Sequence, residues 1–169
     1  MDEEYAAICG ITQNELETQL REGIHELAEK QGMTVKQALD KLKDNYDGYH
    51  FTMPSPDIYN PFSLLTALSK RKIDSYWFGS GTPTYLVEML RKFHVTPQEI
   101  GNRQCLPEDF DAPTEQMSDI TPLLYQSGYI TIKAHDSLTD IYTLSIPNKE
   151  VKIGLMRSLL VNYVQLPRS

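Results

Sequence analysis

Three short stretches hold the residues whose types and spacing could do chemistry. The first, "GSGTPT" at positions 79–84, puts two glycines ahead of Thr82 and Pro83. Glycines let backbone amides approach an anion, and a helix starting at Thr82 would aim its free amides and its dipole at negative charge. A triphosphate site needs more than that. The P-loop pattern G-x-x-x-x-G-K-S/T supplies a lysine and a magnesium-binding hydroxyl at fixed offsets, and it occurs nowhere in this chain. On its residues alone the stretch is either an anion-facing loop or a turn that starts a helix.

The second stretch, "DNYDGYHF" at 44–51, offers Asp44, Asp47 and His50 as metal ligands or as a small catalytic site. Asp44 and Asp47 share a helix face by spacing, but Gly48 ends the helix and aims His50 elsewhere, leaving two ligands and no third. No metal site is expected. The same residues read as a helix C-terminus where Asp-Gly turns the chain and Tyr46, Tyr49 and Phe51 fill a corner of the core. The other histidines, His25, His94 and His135, have no cysteine or serine partner at a catalytic spacing, and no G-x-S-x-G elbow is present. "YWF" at 76–78, with Lys70, Arg71 and Lys72 upstream, could stack on nucleic acid, but reads more simply as a charged helix end followed by core aromatics.

The third stretch is the last third of the chain. Overall the 169 residues carry a net charge of −7, against a protein that coats nucleic acid. The charge is uneven: residues 1–120 hold 11 Lys/Arg against 20 Asp/Glu, and residues 121–169 hold 5 against 3, a net of +2. A nucleic-acid contact would therefore fall on Lys133, Lys149, Lys152 and Arg157, with a hairpin loop around His135 as a wing. Cys9 and Cys105 lack a companion at zinc-ligand spacing and read as buried free thiols. No apolar run approaches the roughly 18 residues that span a bilayer, and "DEEY" after Met1 is no signal segment, so a cytoplasmic protein is expected.

The elements that must position these residues follow from caps and periodicity. Thr12 and Glu15 have capping-box spacing, and Leu16, Leu20, Ile24 and Leu27 predict one helix of about five turns, stopped by Gly32. Thr34 and Gln37 repeat the box before Ala38, Leu39, Leu42 and Tyr46. Pro54 and Pro56 break the chain into short extended pieces around Tyr49, Phe51, Ile58 and Tyr59. Asn60 and Pro61 then start a helix whose apolar face is expected at Phe62, Leu65 and Leu68. Thr82, Thr96 and Thr121, each followed by proline, repeat that start. Residues 101–117 are acidic and aperiodic and read as a linker, with room for a single turn at Pro107 to Phe110. Beyond them a short helix closed by Gly128, two alternating runs at 129–133 and 141–146 joined by the loop 134–140, and a helix capped by Asn148 make a helix–hairpin–helix unit. The expected fold is mainly α with a small β-hairpin: a helical domain over 1–100, the linker, and a winged-helix-like unit over 118–169.

Six blocks together carry a resemblance: "ICGIT" (8–12), "YDGYHF" (46–51), "IYNPFSLL" (58–65), "YWFGSGTPTYL" (76–86), "TPLLYQSGYITIK" (121–133) and "YTLSIPNKEVK" (142–152). In this order, over nearly the whole chain, they resemble the AAA-ATPase-like family of uncharacterised bacterial proteins. The family-motif residues here are Asp47, Gly48, Tyr49, Phe51, Tyr59, Asn60 and Pro61. The resemblance implies a P-loop ATPase core ahead of this region and often a PD-(D/E)XK nuclease-like domain after it, with this chain as the helical lid and winged-helix-like part between. It implies no cofactor and no catalysis in this part, with ATP and hydrolysis belonging to the parent's core. It also changes the reading of the first stretch: Gly81, Thr82 and Pro83 are similar to the Gly-x-Pro sensor that packs on bound nucleotide in related ATPases. The sequence departs from the usual form at Gly79 and Ser80, where an acidic residue and a threonine more often stand.

Overall fold

A computed structural model of the chain describes residues 10–50, 55–77 and 84–164. The fold is mainly α-helical, with a two-stranded and a three-stranded antiparallel sheet among the described residues. The chain divides into two compact units, residues 1–79 with 148–150, and residues 80–147 with 151–169. The division differs from the one expected from composition: the change of unit lies at 79/80, not within 101–117.

The helical unit opens with strand β1 (Ile11–Thr12), which leads directly into helix α1 (Gln13–Gln19). Both bonds of the predicted capping box form: Thr12 Oγ1 accepts from the Glu15 amide at 3.2 Å, and the Thr12 amide donates to Glu15 Oε2 at 2.8 Å. The expected five-turn helix is interrupted, however, at Leu20 (φ −108°, ψ 14°), beyond which α2 (Arg21–Gln31) begins. Thr18 Oγ1 donates to the Asn14 carbonyl at 2.6 Å, a back-bond that competes with the ladder and bends helices. Leu16, Ile24 and Leu27 are all buried across the break. Gly32, at φ 64°, closes α2 as predicted.

Helix α3 (Val35–Tyr46) has the predicted Thr34–Gln37 box and ends at Asp47, which stands outside the helix in extended conformation. Strand β2 (Ile58–Tyr59) then pairs with β1, Ile11 opposite Tyr59 and Thr12 opposite Ile58. That pairing brings Gly10 against Ile58 so closely that a Cβ there would stand 2.6 Å from Ile58 Cδ1. Asn60 Oδ1 caps α4 (Pro61–Lys70) by accepting from the Ser63 amide at 3.3 Å. The buried face of α4 is Ser63, Leu64, Ala67 and Leu68, whereas Phe62 and Leu65, expected inside, are exposed. The segment is apolar on both sides, so its periodicity admits two faces. Packing chooses, with Leu68 set against Gly23 of α2 at 3.6 Å from where a Cβ would be. The core of this unit joins Leu16, Leu27, Leu42, Tyr46, Tyr59 and Leu64.

The second unit contains α5 (Thr84–Lys92), α6 (Pro97–Ile100), β3 (Arg103–Cys105), α7 (Pro107–Phe110), a 3-10 turn at Thr114–Gln116, α8 (Thr121–Gln126), β4 (Thr131–Asp136), β5 (Ile141–Ser145) and, from Val151 on, α9 (Lys149–Val164). Its sheet runs β3–β5–β4, so the stretch expected to be a linker supplies an edge strand, and the single turn expected at Pro107 to Phe110 is α7. The edge of β5 fixes β3 by pairing Arg103, Gln104 and Cys105 with Leu144, Thr143 and Tyr142. Phe110 of α7 is buried between the rings of Tyr125 and Tyr142, at 4.9 and 5.3 Å between centroids. The hairpin is also longer than predicted. β4 continues to Asp136, which leaves His135 in the strand opposite Tyr142 and not in the loop. His135 Nε2 meets Asp140 Oδ1 at 2.8 Å and its ring stacks on Tyr142 at 4.1 Å, holding the strand ends together. Among the described residues no helix is long and apolar enough to cross a membrane.

Candidate functional site

The polar groups that converge in this protein meet inside the helical unit, around a carboxylate. The cap at Asn60 sets Ser63 on the inner face of α4, fully buried. Glu150 is the second residue of α9 and is 2 % exposed. Its Oε1 accepts from Ser63 Oγ at 2.7 Å and from the Trp77 amide at 2.6 Å, joining positions 87 and 73 residues apart in sequence. Burial pushes the Glu150 carboxyl above its ordinary range, and the bonds from Ser63 and from the Trp77 and Tyr76 amides oppose that rise.

Around this carboxylate the motif residues tie the chain to itself. Asn148 Nδ2 donates to the Asp47 carbonyl at 3.0 Å, so residues 148–150 are fastened at two points. The Asn60 amide donates to the Tyr46 carbonyl at 2.8 Å, and Tyr49 exchanges both backbone bonds with Ile58, at 3.2 and 3.0 Å. Tyr46 hydroxyl donates to the Asp74 carbonyl at 2.6 Å and accepts from the Asp74 amide at 3.0 Å. Tyr59 hydroxyl donates to Gln13 Oε1 at 2.5 Å. Burial holds both phenols far above their ordinary range, so they act as neutral hydrogen-bonding groups.

The chemistry open to this arrangement is fastening. Ser63 is buried with its hydroxyl committed to Glu150, so no substrate reaches it as a nucleophile. His50 Nε2 lies 2.5 Å from the Ser55 carbonyl and Nδ1 lies 2.5 Å from an Asp57 carboxylate oxygen, so both ring nitrogens face groups of the chain itself. Asp44 is exposed on α3 while Asp47 is buried beyond its end, so the two do not share a face as their spacing predicts. Among the described residues no group of three or more His, Cys, Asp and Glu side chains could hold a metal ion.

Because Glu150 has a higher proton affinity folded than unfolded, its contribution to stability is present below the ordinary value of 4.5 and is lost as pH rises through the raised one. Glu150→Gln is therefore expected to remove part of the fall in stability on that side. Urea midpoints of both proteins from about pH 4 to about pH 8 check it, and parallel curves would contradict the assignment.

The remaining predicted residues are dispersed. Gly81, Thr82, Pro83 and Phe51 lie outside the described residues, as does Cys9. Gly48 takes φ 99°, as a turn after α3 requires. Lys133 Nζ donates to the Pro147 carbonyl at 3.4 Å, while Lys149, Lys152 and Arg157 are exposed along α9. Cys105 is half-buried, and burial pushes its thiol up to about 11, which makes it unreactive at neutral pH. Glu150, Ser63 and Trp77 were not legible as partners. An acidic residue in the first turn of a helix is ordinary and carries no mark of a buried partner.

No family model matches the chain, and no solved structure matches it. The chain is 31 % identical, over 173 aligned residues, to a protein of Azotobacter chroococcum mcd 1 described as "Uncharacterized protein in vnfD 5'region". That similarity takes in all of this chain and 31 % of the relative, so the chain spans about a third of the length of the curated relative it matches.

Proposed function

We propose that this chain is the regulatory lid and winged-helix-like part of a bacterial P-loop AAA-ATPase-like protein, coupling nucleotide state to a neighbouring domain and inactive by itself. One observation carries the reading: the sequence blocks that bear the resemblance supply the partners in a single clasp. "YDGYHF" gives Tyr46 and Asp47, "IYNPFSLL" gives Asn60 and Ser63, the "YWF" block gives Trp77, and "YTLSIPNKEVK" gives Asn148 and Glu150. Blocks far apart in sequence that join in one hydrogen-bonded cluster fit a shared architecture better than a chance likeness. The match of the whole chain to part of a much longer protein also supports a module within a larger polypeptide.

In this reading Gly81, Thr82 and Pro83 sense the nucleotide. ATP, the ATPase core and any PD-(D/E)XK nuclease-like domain belong to the parent protein, which works in the cytoplasm. Residues 118–169, with their helix, hairpin and following helix, are the winged-helix-like part. A protein contact suits it at least as well as nucleic acid, because these residues hold only 5 Lys/Arg against 4 Asp/Glu, a net of +1, and Asp136 and Asp140 flank the hairpin apex. Purified chain is expected to show no ATP turnover above a blank in a phosphate-release assay. Turnover that follows this chain through purification would overturn the reading.

A further inference from the structure

Helix α9 is apolar on two sides. Val151, Leu155 and Leu159 recur every four residues and are buried, so they form its packed side. Ile153, Met156 and Leu160 recur at three and four residues and form a second stripe on the opposite side. Ile153 and Met156 are half-buried there, and Leu160 is 65 % exposed. A surface helix carries polar residues on the side away from its core, and a helix that is apolar all round is one that is covered all round. Charge marks the same stripe. Lys152 stands four residues before Met156, and Arg157 four after Ile153, so the two cations border it on opposite sides. Both are exposed, and neither forms a salt bridge among the described residues. In a chain of net charge −7, residues 151–164 contain no Asp or Glu.

We propose that this second stripe of α9 docks an amphipathic helix of a partner protein, apolar along its centre and edged with Asp or Glu. From Ile153 to Leu160 the stripe runs two turns, roughly 10 Å, the reach over which one helix lays its ridge into the groove of another. Covering Leu160 and completing the burial of Ile153 and Met156 drives the association, and Lys152 and Arg157 select acidic edges over basic ones. The other occupants fit less well. A second copy docked by the same face would set Lys152 and Arg157 against their own kind, with no carboxylate beside the stripe to meet them. A bilayer takes up side chains that project, and two of these three are already half-buried. A phosphate backbone would meet the cations and leave Leu160 in water. The proposal stands on α9 alone and holds whether or not the ATPase reading does.

The test titrates the whole chain into two labelled peptides, stapled to hold a helix, with leucines along one stripe and either glutamates or lysines on both edges. Fluorescence anisotropy reads the affinity. The glutamate peptide is expected to bind at least roughly tenfold more tightly than the lysine peptide, by an amount that shrinks as salt is added. Leu160→Asp, a change at an exposed position, should weaken the glutamate peptide by about tenfold or more. The double variant Lys152→Glu/Arg157→Glu, which leaves the apolar stripe whole, should reverse the preference between the two peptides. Equal binding of both peptides, binding of neither, or an affinity that Leu160→Asp leaves unchanged would overturn the proposal. So would self-association of the chain, or its binding to vesicles of anionic lipid, that Leu160→Asp abolishes, and so would binding to duplex DNA that only the double variant abolishes.

Discussion

Glu150→Ala is expected to lower the stability of the chain by roughly 2–4 kcal/mol, the cost of taking the acceptor away from one buried and one part-buried donor, partly offset by no longer burying a carboxylate. The donors are the Ser63 hydroxyl, fully buried, and the Trp77 amide, both bound at under 3 Å to Glu150 Oε1. Glu150→Gln should cost less, because an amide oxygen can accept both bonds. Urea unfolding followed by fluorescence is well placed to read this, since Trp77 is the only tryptophan in the chain and is itself a partner. The midpoint should fall at constant m in both variants, further for Ala than for Gln. An Ala variant as stable as the unsubstituted protein would mean that the clasp does not hold.

The second large effect separates two neighbouring leucines. Leu64→Ala should cost about 2–5 kcal/mol, the usual loss for a fully buried leucine, while Leu65→Ala should stay within about 0.5 kcal/mol. Leu64 is completely buried in the core with Leu16, Leu27 and Tyr59, and Leu65 is 46 % exposed. The periodicity of "PFSLLTALSK" read alone predicts the reverse, so thermal or urea unfolding of the two variants tests the packing of α4 directly. Equal losses would mean that α4 buries a different face.

That contrast shows where sequence reasoning reached and where it stopped. Helix starts at Thr12, Thr34, Asn60 and Thr96 were legible because their cap bonds are local, made three residues away. The break at Leu20 was not, because the leucine spacing runs on through it and Thr18 gives only a weak signal. β3 was hidden for another reason: three residues, Arg103–Cys105, are too few to show alternation, and they become a strand only by joining the edge of β5. The hairpin was recognised by its two alternating runs but cut short, since "AHDSLTD" is polar whether paired or not, and the pairing of His135 with Tyr142 decides it.

The candidate site followed the same rule. Of the residues singled out by resemblance, Tyr49 exchanges backbone bonds with Ile58 and the Asn60 amide is bound to the Tyr46 carbonyl, contacts that no composition reveals. Glu150 was passed over because its partners, Ser63 and Trp77, are close only in the folded chain. A buried carboxylate has no local mark in sequence.

The most direct test of the central claim is ATP and ADP binding, by calorimetry, to a longer protein that carries both a P-loop core and this region, compared with its Thr82→Ala/Pro83→Ala variant. A sensing lid predicts a clear loss of affinity, on the order of tenfold for about 1.4 kcal/mol of lost contact, in a variant that remains folded. Unchanged affinity for both nucleotides would contradict the account and leave "GTP" at 81–83 as the start of a helix.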